Sequence, residues 1–375
     1  MRFLLALVLL GLFLSSSDTL GCLWDSETIS SEKQRFPDVH EAIAGYFPRH
    51  SRAFYEWRIE ATSKKPIEQR EPIDFDDIAV AFDKLGEHEK AIEIMKDKIA
   101  RWPKDYRYES EANLGTFLIH AGKLEQGLKH IQNAIEINPN AHFGREVYQQ
   151  RLVEYLIERG VDKKTLPLSN GMTFASTSAS YLAPLPESAN KDWEQEIKDA
   201  TKGILGMMRF GHYDSPILLE ALGDLLSADL GEGGAKMLAC RAYLKASYEV
   251  EGAASSDDYR RKAEMAIHNQ EGWELEDVEA QLKWEIEQGV ELFNSIQSYE
   301  LEWISIGNDV VTEFDAKFGS LQPLSIDRAD LNPVEPERAL NTPTSLDNLA
   351  ILMVVLLFAF IILAAFRVVA NVSAS

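Results

Sequence analysis

Two short segments carry residue types suited to acid–base chemistry, and they lie far apart in the chain. The first contains His142, Arg145 and Glu146, and the second contains His212 and Asp214. An imidazole can take a proton and a carboxylate can orient it, so an exported, hydrolase-like envelope enzyme with a site built from both segments is one interpretation. No nucleophile or second carboxylate stands in register with the first segment. Polar groups at the start of a helix are therefore the simpler interpretation.

Established catalytic and metal-binding motifs do not occur in this sequence. It has no Gly-x-Ser-x-Gly, no phosphate-binding loop, no His-Glu-x-x-His and no pair of Cys-x-x-Cys motifs. His120 and His130 could approach each other across one helical hairpin, but two imidazoles make a weak metal site. The sequence predicts a non-enzymatic protein with no metal and no cofactor.

The charge of the chain limits its partners. The formal net charge is −22, which argues against a nucleic-acid partner and favours a protein or peptide. Cys22 and Cys240 could pair in an exported chain. Cys240 falls within a predicted helix, where a small, buried apolar residue is the favoured interpretation.

A helical hairpin that ends in proline occurs twice in the chain, at a spacing of 36 residues. Gly86 and Gly122 are expected to adopt the left-handed conformation that ends the first helix of each hairpin. Pro103 and Pro139 should stop the second helix, because proline cannot continue the hydrogen-bond ladder. Gly115 is predicted to be a packing position at which the two helices come close.

These hairpins resemble the tetratricopeptide repeat family over residues 72–141. The resemblance rests on small residues at the helix contacts, bulky residues between them and the terminal prolines: Ala79, Gly115, Ala91, Gly127, Ile78, Phe82, Leu114, Leu118, Met95, Ile131, Pro103 and Pro139. It implies a superhelix of αα-hairpins whose concave groove binds protein or peptide partners. The family's carboxylate clamp is not carried over, because only Asn113 matches it. The chain is also similar to exported, membrane-anchored tetratricopeptide repeat proteins.

A set of polar residues alternates with the apolar residues of the first helices. We expect these side chains to be exposed in the groove and to contact a partner: Asp76, Asp83, Asn113, Thr116, His120, Arg145 and Gln149. Ordinary solvated surface is the alternative interpretation.

Both ends of the chain indicate export and membrane attachment. Residues 1–21 are typical of a signal peptide, and Thr19–Cys22 also partly resembles a lipidation motif. Residues 346–369 predict a transmembrane helix, followed by a tail at 370–375. A glycolipid-anchor signal is the weaker alternative. The predicted topology is single-pass, with the body extracytoplasmic (periplasmic if the source is bacterial) and the carboxyl terminus cytoplasmic.

The rest of the chain predicts an all-α protein. An N-terminal helical cap is expected at 22–71, the hairpins with a capping helix at 72–160 and a long loop at 161–190. A second helical block with a degenerate hairpin and one long amphipathic helix should occupy 191–320, before a proline-containing stalk at 321–345. The apolar stripe of 272–318 must be covered, either by the second block or by self-association.

Overall fold

The computed structural model of the chain describes Leu23 and residues 37–139, 144–160, 166–185, 192–228, 233–268, 270 and 272–324. Every regular element in these ranges is a helix, so the predicted all-α class is confirmed. None of the helices found there is both long and apolar enough to cross a membrane. The predicted signal peptide, Cys22, transmembrane helix and tail lie outside the described residues, as does the stalk from residue 325 onward.

The described part of the chain contains fourteen α-helices and two short 3₁₀ turns, at Ile67–Gln69 and Phe174–Ser176. In chain order the α-helices are α1 (Val39–Ala44), α2 (Arg52–Ser63), α3 (Pro72–Lys84), α4 (His88–Arg101), α5 (Arg107–His120), α6 (Leu124–Ile137), α7 (Arg145–Arg159), α8 (Ala179–Leu182), α9 (Trp193–Phe210), α10 (Pro216–Ala228), α11 (Gly233–Glu249), α12 (Ala253–Ile267), α13 (Leu275–Ile306) and α14 (Val310–Phe318).

Local sequence signals account for several helix ends. The carboxylates of Asp192 and Asp309 accept hydrogen bonds from backbone N–H groups in the first turns of α9 and α14. Such caps satisfy donors that have no partner within the helix. Gly307 ends α13 with a φ of 78°, in the left-handed region that glycine adopts without a steric penalty.

The structure confirms the repeated hairpin. Helices α3 and α4 form the first hairpin and α5 and α6 the second, and φ is 80° at Gly86 and 74° at Gly122. Helices α4 and α6 each end two residues before a proline. A Cβ atom added to Gly115 would lie 2.8 Å from Cδ1 and 3.0 Å from the backbone nitrogen of Ile131. Gly115 is therefore a packing position, as predicted.

The helical array continues beyond the hairpins. Helix α7, expected to cap the repeats, packs on α6 on one side and on α9 on the other. Helices α10 and α11 pack on each other in the segment where a degenerate hairpin was predicted, and α12 packs on α11. Cys240 on α11 is buried with a free thiol, in agreement with its interpretation as an apolar residue.

The last helices of the array pack against the first helices. The long helix α13 packs against α1, α2, α11 and α12, so other helices of the chain cover much of its apolar stripe. A Cβ atom at Gly289 would lie 2.3 Å from the carbonyl oxygen of Ala44, which shows how closely α13 approaches the end of α1. An imidazole nitrogen of His50 lies 2.5 Å from Glu300 on α13.

Aromatic side chains also pack where α13 and α14 meet the first helices. Phe54 and Tyr55 of α2 form one buried cluster with Ala81 of α3 and with residues of the last two helices, including Trp303 and Phe314. The N-terminal aromatic side chains therefore pack on the first hairpin and also contact α13 and α14.

Candidate functional site

The seven residues predicted to line an exposed groove are all buried. Each of the following residues is at most 5% exposed: Asp76, Asp83, Asn113, Thr116, His120, Arg145 and Gln149. The expectation of exposure was wrong, because α3, α5 and α7 lie close enough for their polar positions to face one another. Alanine at these positions would remove buried contacts, so it would test packing as much as partner binding.

Hydrogen bonds join these residues across the contacts between neighbouring helices. Asn113 Nδ2 donates to Asp76 at 3.0 Å, and Gln149 Nε2 donates to Thr116 at 3.2 Å. Asp76 also accepts two bonds from the buried ammonium of Lys98, at 2.6 and 2.7 Å. The paired residues lie on α3, α5 and α7, so these polar pairs connect each of these helices to the next.

A second connection contains two imidazoles on one carboxylate. Nδ1 of His88 lies 2.7 Å from Asp83, and Nδ1 of His120 lies 2.8 Å from the same carboxylate. Burial alone would raise the pKa of Asp83, but His120 and His88 outweigh burial and hold that pKa well below its usual range. His130, which we considered as a partner of His120, instead contacts Glu111 at 2.6 Å.

The residues of the enzymatic interpretation are not gathered into one site. His142 lies outside the described residues. Glu146 accepts a hydrogen bond from the Tyr108 hydroxyl at 2.7 Å, and the guanidinium of Arg145 lies 4.8 Å from the ring centre of Phe210. His212 and Asp214 stand together elsewhere, 3.9 Å apart, on the wall of a cavity.

That cavity has a volume of about 380 Å³ and lies between the α1–α2 connection, α3, the end of α9 and α13. Its lining is basic and aromatic: Arg49, His50, Arg52, Lys84, Arg209 and His212, with Phe47, Tyr55, Phe210, Tyr213 and Phe293. Asp214 is the single carboxylate among the described residues that line it. Arg52 and Val290 are exposed, so the cavity reaches the surface. The chain as a whole is strongly acidic, whereas most of the charged side chains that line this cavity are positive.

Arg49 is the most unusual of the cavity residues. Its guanidinium lies 4.3 Å from the ring centre of Phe293 and 4.6 Å from that of Tyr213, and Nη1 donates to the carbonyl of Gly45 at 2.5 Å. No carboxylate of the described residues forms an ion pair with it. Burial lowers the pKa of Arg49, although the charge of Asp214 acts in the opposite direction. The side chain therefore brings a charge into the cavity wall without the anion that usually accompanies a buried arginine.

Lys84 and His212 complete the basic wall. The ammonium of Lys84 donates to the carbonyls of Phe210 at 2.6 Å and Gly211 at 2.9 Å, where α9 ends. A cation at a helix carboxyl terminus is favourable because the carbonyls there carry negative partial charge. Burial, followed by the charge of Lys84, lowers the pKa of His212 to about 4, so this imidazole is neutral at pH 7.

The sequence offered no local signal for this cavity. Arg49, Lys84 and Arg209 come from a loop and two helix ends that are far apart in the chain, and no motif links them. Only His212 and Asp214 had been singled out, and for a different chemistry. Comparison of the chain with protein-family profiles, with curated proteins and with solved structures gave no match.

Proposed function

We propose that this chain is a non-enzymatic binding protein that receives an acidic group of a protein or peptide partner in its basic cavity. The observation that carries the proposal is Arg49, a largely buried guanidinium that faces the cavity and pairs with no carboxylate of the described residues. Burying an unpaired charge is unfavourable, and an anion bound beside it would offset that cost. Arginine also binds carboxylates through two parallel hydrogen bonds.

The rest of the lining supports an anionic ligand with an apolar part. Lys84 and Arg209 add positive charge, and the aromatic rings of Phe47, Tyr213 and Phe293 offer apolar contact. A volume of about 380 Å³ lies at the small end of the range for ligand pockets, about 300–1,000 Å³. That volume suits a few side chains or a peptide terminus rather than a folded domain.

The helical hairpins indicate the type of scaffold that carries the cavity, and the chain ends indicate where the protein resides. The hairpins α3–α6 favour a tetratricopeptide-type scaffold, a class that usually binds polypeptides. We place the body on the extracytoplasmic side, held by a membrane helix at 346–369, on the basis of the sequence pattern alone. In this setting the basic cavity, rather than the groove first expected, receives the partner.

The enzymatic alternative is less well supported. His212 and Asp214 line the cavity, whereas Arg145 and Glu146 are not among its described lining residues and Glu146 pairs with Tyr108. No serine or cysteine is present among the described lining residues. The His–Asp pair therefore has no serine or cysteine beside it among these residues to act as the nucleophile of a covalent acyl transfer.

Equilibrium binding of fluorescein-labelled hexaglutamate to the full chain in detergent tests the function, with hexalysine as the probe of opposite charge. We expect saturable hexaglutamate binding that Arg49→Gln weakens by about tenfold or more, since truncating one partner of a buried charge pair typically removes at least 2 kcal/mol. Arg101→Gln, which removes an exposed charge paired with Asp97 on α4, is the matched control and should bind normally. Equal binding of both peptides, or normal binding by Arg49→Gln, would contradict the proposal.

A further inference from the structure

We propose that Asp83, His88 and His120 form a binding site for a divalent transition-metal ion of the zinc type. One donor atom from each residue lies within 4.8 Å of the other two. Nδ1 of His88 and Nδ1 of His120 approach the same carboxylate oxygen, Oδ1 of Asp83, at 2.7 and 3.0 Å. The three donors therefore converge on one point.

The spacing of these atoms is close to what a tetrahedral ion requires. With bonds of about 2.0–2.1 Å, tetrahedral ligand atoms stand about 3.3 Å apart. The two nitrogen–oxygen distances need to lengthen by only a few tenths of an ångström to admit an ion, and each ring would then carry its proton on Nε2 instead of Nδ1. Two imidazole nitrogens and one carboxylate oxygen form a donor set that suits Zn²⁺ and related ions.

The fold holds the three side chains in place. Asp83 lies in the last turn of α3 and His120 in the last turn of α5, while the turn at Gly86 brings His88 back at the start of α4. At the corresponding place in the second hairpin, Leu124 stands where His88 stands in the first. The donor set therefore belongs to one turn and is not a general property of the repeat.

Hydrogen bonding by itself does not account for the cluster. Nε2 of His120 is buried and has no hydrogen-bond partner among the residues that the structure describes. A divalent cation beside the buried carboxylate of Asp83 would offset its negative charge. The buried network around Lys262 is different, because its carboxylates, hydroxyls and ammonium are all hydrogen bonded.

An ion has a route to this site from solvent. The side chains of Asp83 and His120 are buried, but that of His88 is 11% exposed. His88 also lines an open surface depression of about 350 Å³ beside the turn, together with Gly86, Glu87, Glu89, Lys90 and Ala121. A water molecule entering from this side would supply the fourth ligand of a tetrahedral ion.

Calorimetric titration of the full, chelator-treated chain with Zn²⁺ in the presence of excess Mg²⁺ tests the site. Mg²⁺ occupies surface carboxylates, which an acidic chain has in excess, but competes poorly for imidazole. We expect one Zn²⁺ per chain and a visible absorption spectrum of four-coordinate Co²⁺ when Co²⁺ is used instead. His88→Gln and Asp83→Asn should each weaken Zn²⁺ binding by about tenfold or more.

His130→Gln is the matched control, because His130 contacts a single carboxylate with no second imidazole, and it should bind Zn²⁺ like the unmodified chain. Asp83 is buried and its variant can lose structure, so circular dichroism is recorded for each variant. The partly exposed His88 gives a variant that should stay folded. Failure of the folded chain to bind Zn²⁺ under these conditions, or full affinity in folded His88→Gln, would overturn the proposal.

Discussion

Single residues in this chain decide how closely its helices approach. Gly115 lets α5 contact α6, and Gly289 lets α13 meet the end of α1 through backbone atoms. Both contacts need the absence of a side chain rather than flexibility, since neither glycine adopts a positive φ. A larger residue at either position must push two helices apart.

Gly115→Leu should lower the free energy of unfolding by about 1–3 kcal/mol, the usual cost of overpacking a close contact. The new side chain would overlap the side chain and backbone of Ile131. Urea unfolding followed by far-ultraviolet circular dichroism measures the effect. Gly252→Leu is the control, because the nearest atom to a Cβ there is 3.8 Å away. An unchanged midpoint for Gly115→Leu would show that α5 and α6 do not pack as described.

Glu279 makes a pH-dependent contribution to the stability of the folded chain. Hydrogen bonds from Arg260, at 2.8 and 2.9 Å, are the main cause that lowers the pKa of Glu279 to about 2, below its ordinary value of 4.5. The folded state therefore favours the ionised carboxylate. This contribution is fully present above the ordinary pKa and is lost as the pH falls from about 4.5 towards about 2.

We expect Glu279→Gln to be less stable than the unmodified chain at pH 7, with the difference shrinking at pH 3. Urea midpoints at pH 7, 4 and 3 measure it. Glu56→Gln, at an exposed ion pair on α2, is the control and should show almost no pH-dependent difference. A difference that stays constant over this range would show that the Arg260 contact does not hold Glu279 in its ionised form.

Among the elements, the segment 166–178 is held in position by contacts with two helices, α10 and α12, rather than by its own sequence. Backbone N–H groups of Leu168 and Ser169 donate to Glu220 on α10, and that of Ser178 donates to Asp224. Lys262 on α12 contacts both carboxylates at 3.0 Å. What was predicted as part of a long polar loop is therefore fixed to the second helical block by buried charge.

Lys262→Met should loosen this segment and lower the free energy of unfolding by about 3–5 kcal/mol, because two buried carboxylates lose their cation. Amide hydrogen exchange at Leu168, Ser169 and Ser178 should become faster than in the unmodified chain. Lys123→Met, which removes an exposed partner of Glu89, should leave exchange at these amides unchanged. Unchanged protection in Lys262→Met would show that the network does not hold the segment.

At the scale of the described body, the chain forms a closed series of contacts. Repeat arrays normally contact only sequence neighbours, so their ends can unfold independently. Here α13 and α14 return to α1 and α2, and Glu300 accepts a hydrogen bond from the backbone N–H of Ser51 at 2.9 Å. Closure links the stability of the first hairpins to that of the last helices.

We therefore expect one cooperative unfolding transition for the described body, with the same urea midpoint in all helices. Hydrogen exchange measured by mass spectrometry across a urea series resolves α3–α6 from α10–α13. Gly289→Val should separate α13 from α1 and let α13 and α14 exchange at lower urea, whereas Val290→Ala at the exposed neighbouring position should not. Two separate midpoints in the unmodified chain would show that closure contributes little stability.

Local sequence determined the helices and hairpins of this protein, because caps, left-handed glycines, prolines and apolar periodicity act over a few residues. Gly86, Gly122, Pro103 and Gly115 have the roles that their spacing predicts. Runs of apolar residues predict the signal peptide and the membrane helix, and both segments lie outside the described residues.

Only the tertiary structure decided which polar residues are buried and where charge collects. Asp83 and His120 were predicted to face solvent, yet they meet because α3 and α5 pack side by side. Arg49, Lys84 and Arg209 share one cavity because α13 closes on the first helices. Periodicity identifies the face of a helix on which a residue lies. The element that covers that face is set by contacts between residues far apart in the chain, such as His50 and Glu300, which are 250 positions apart.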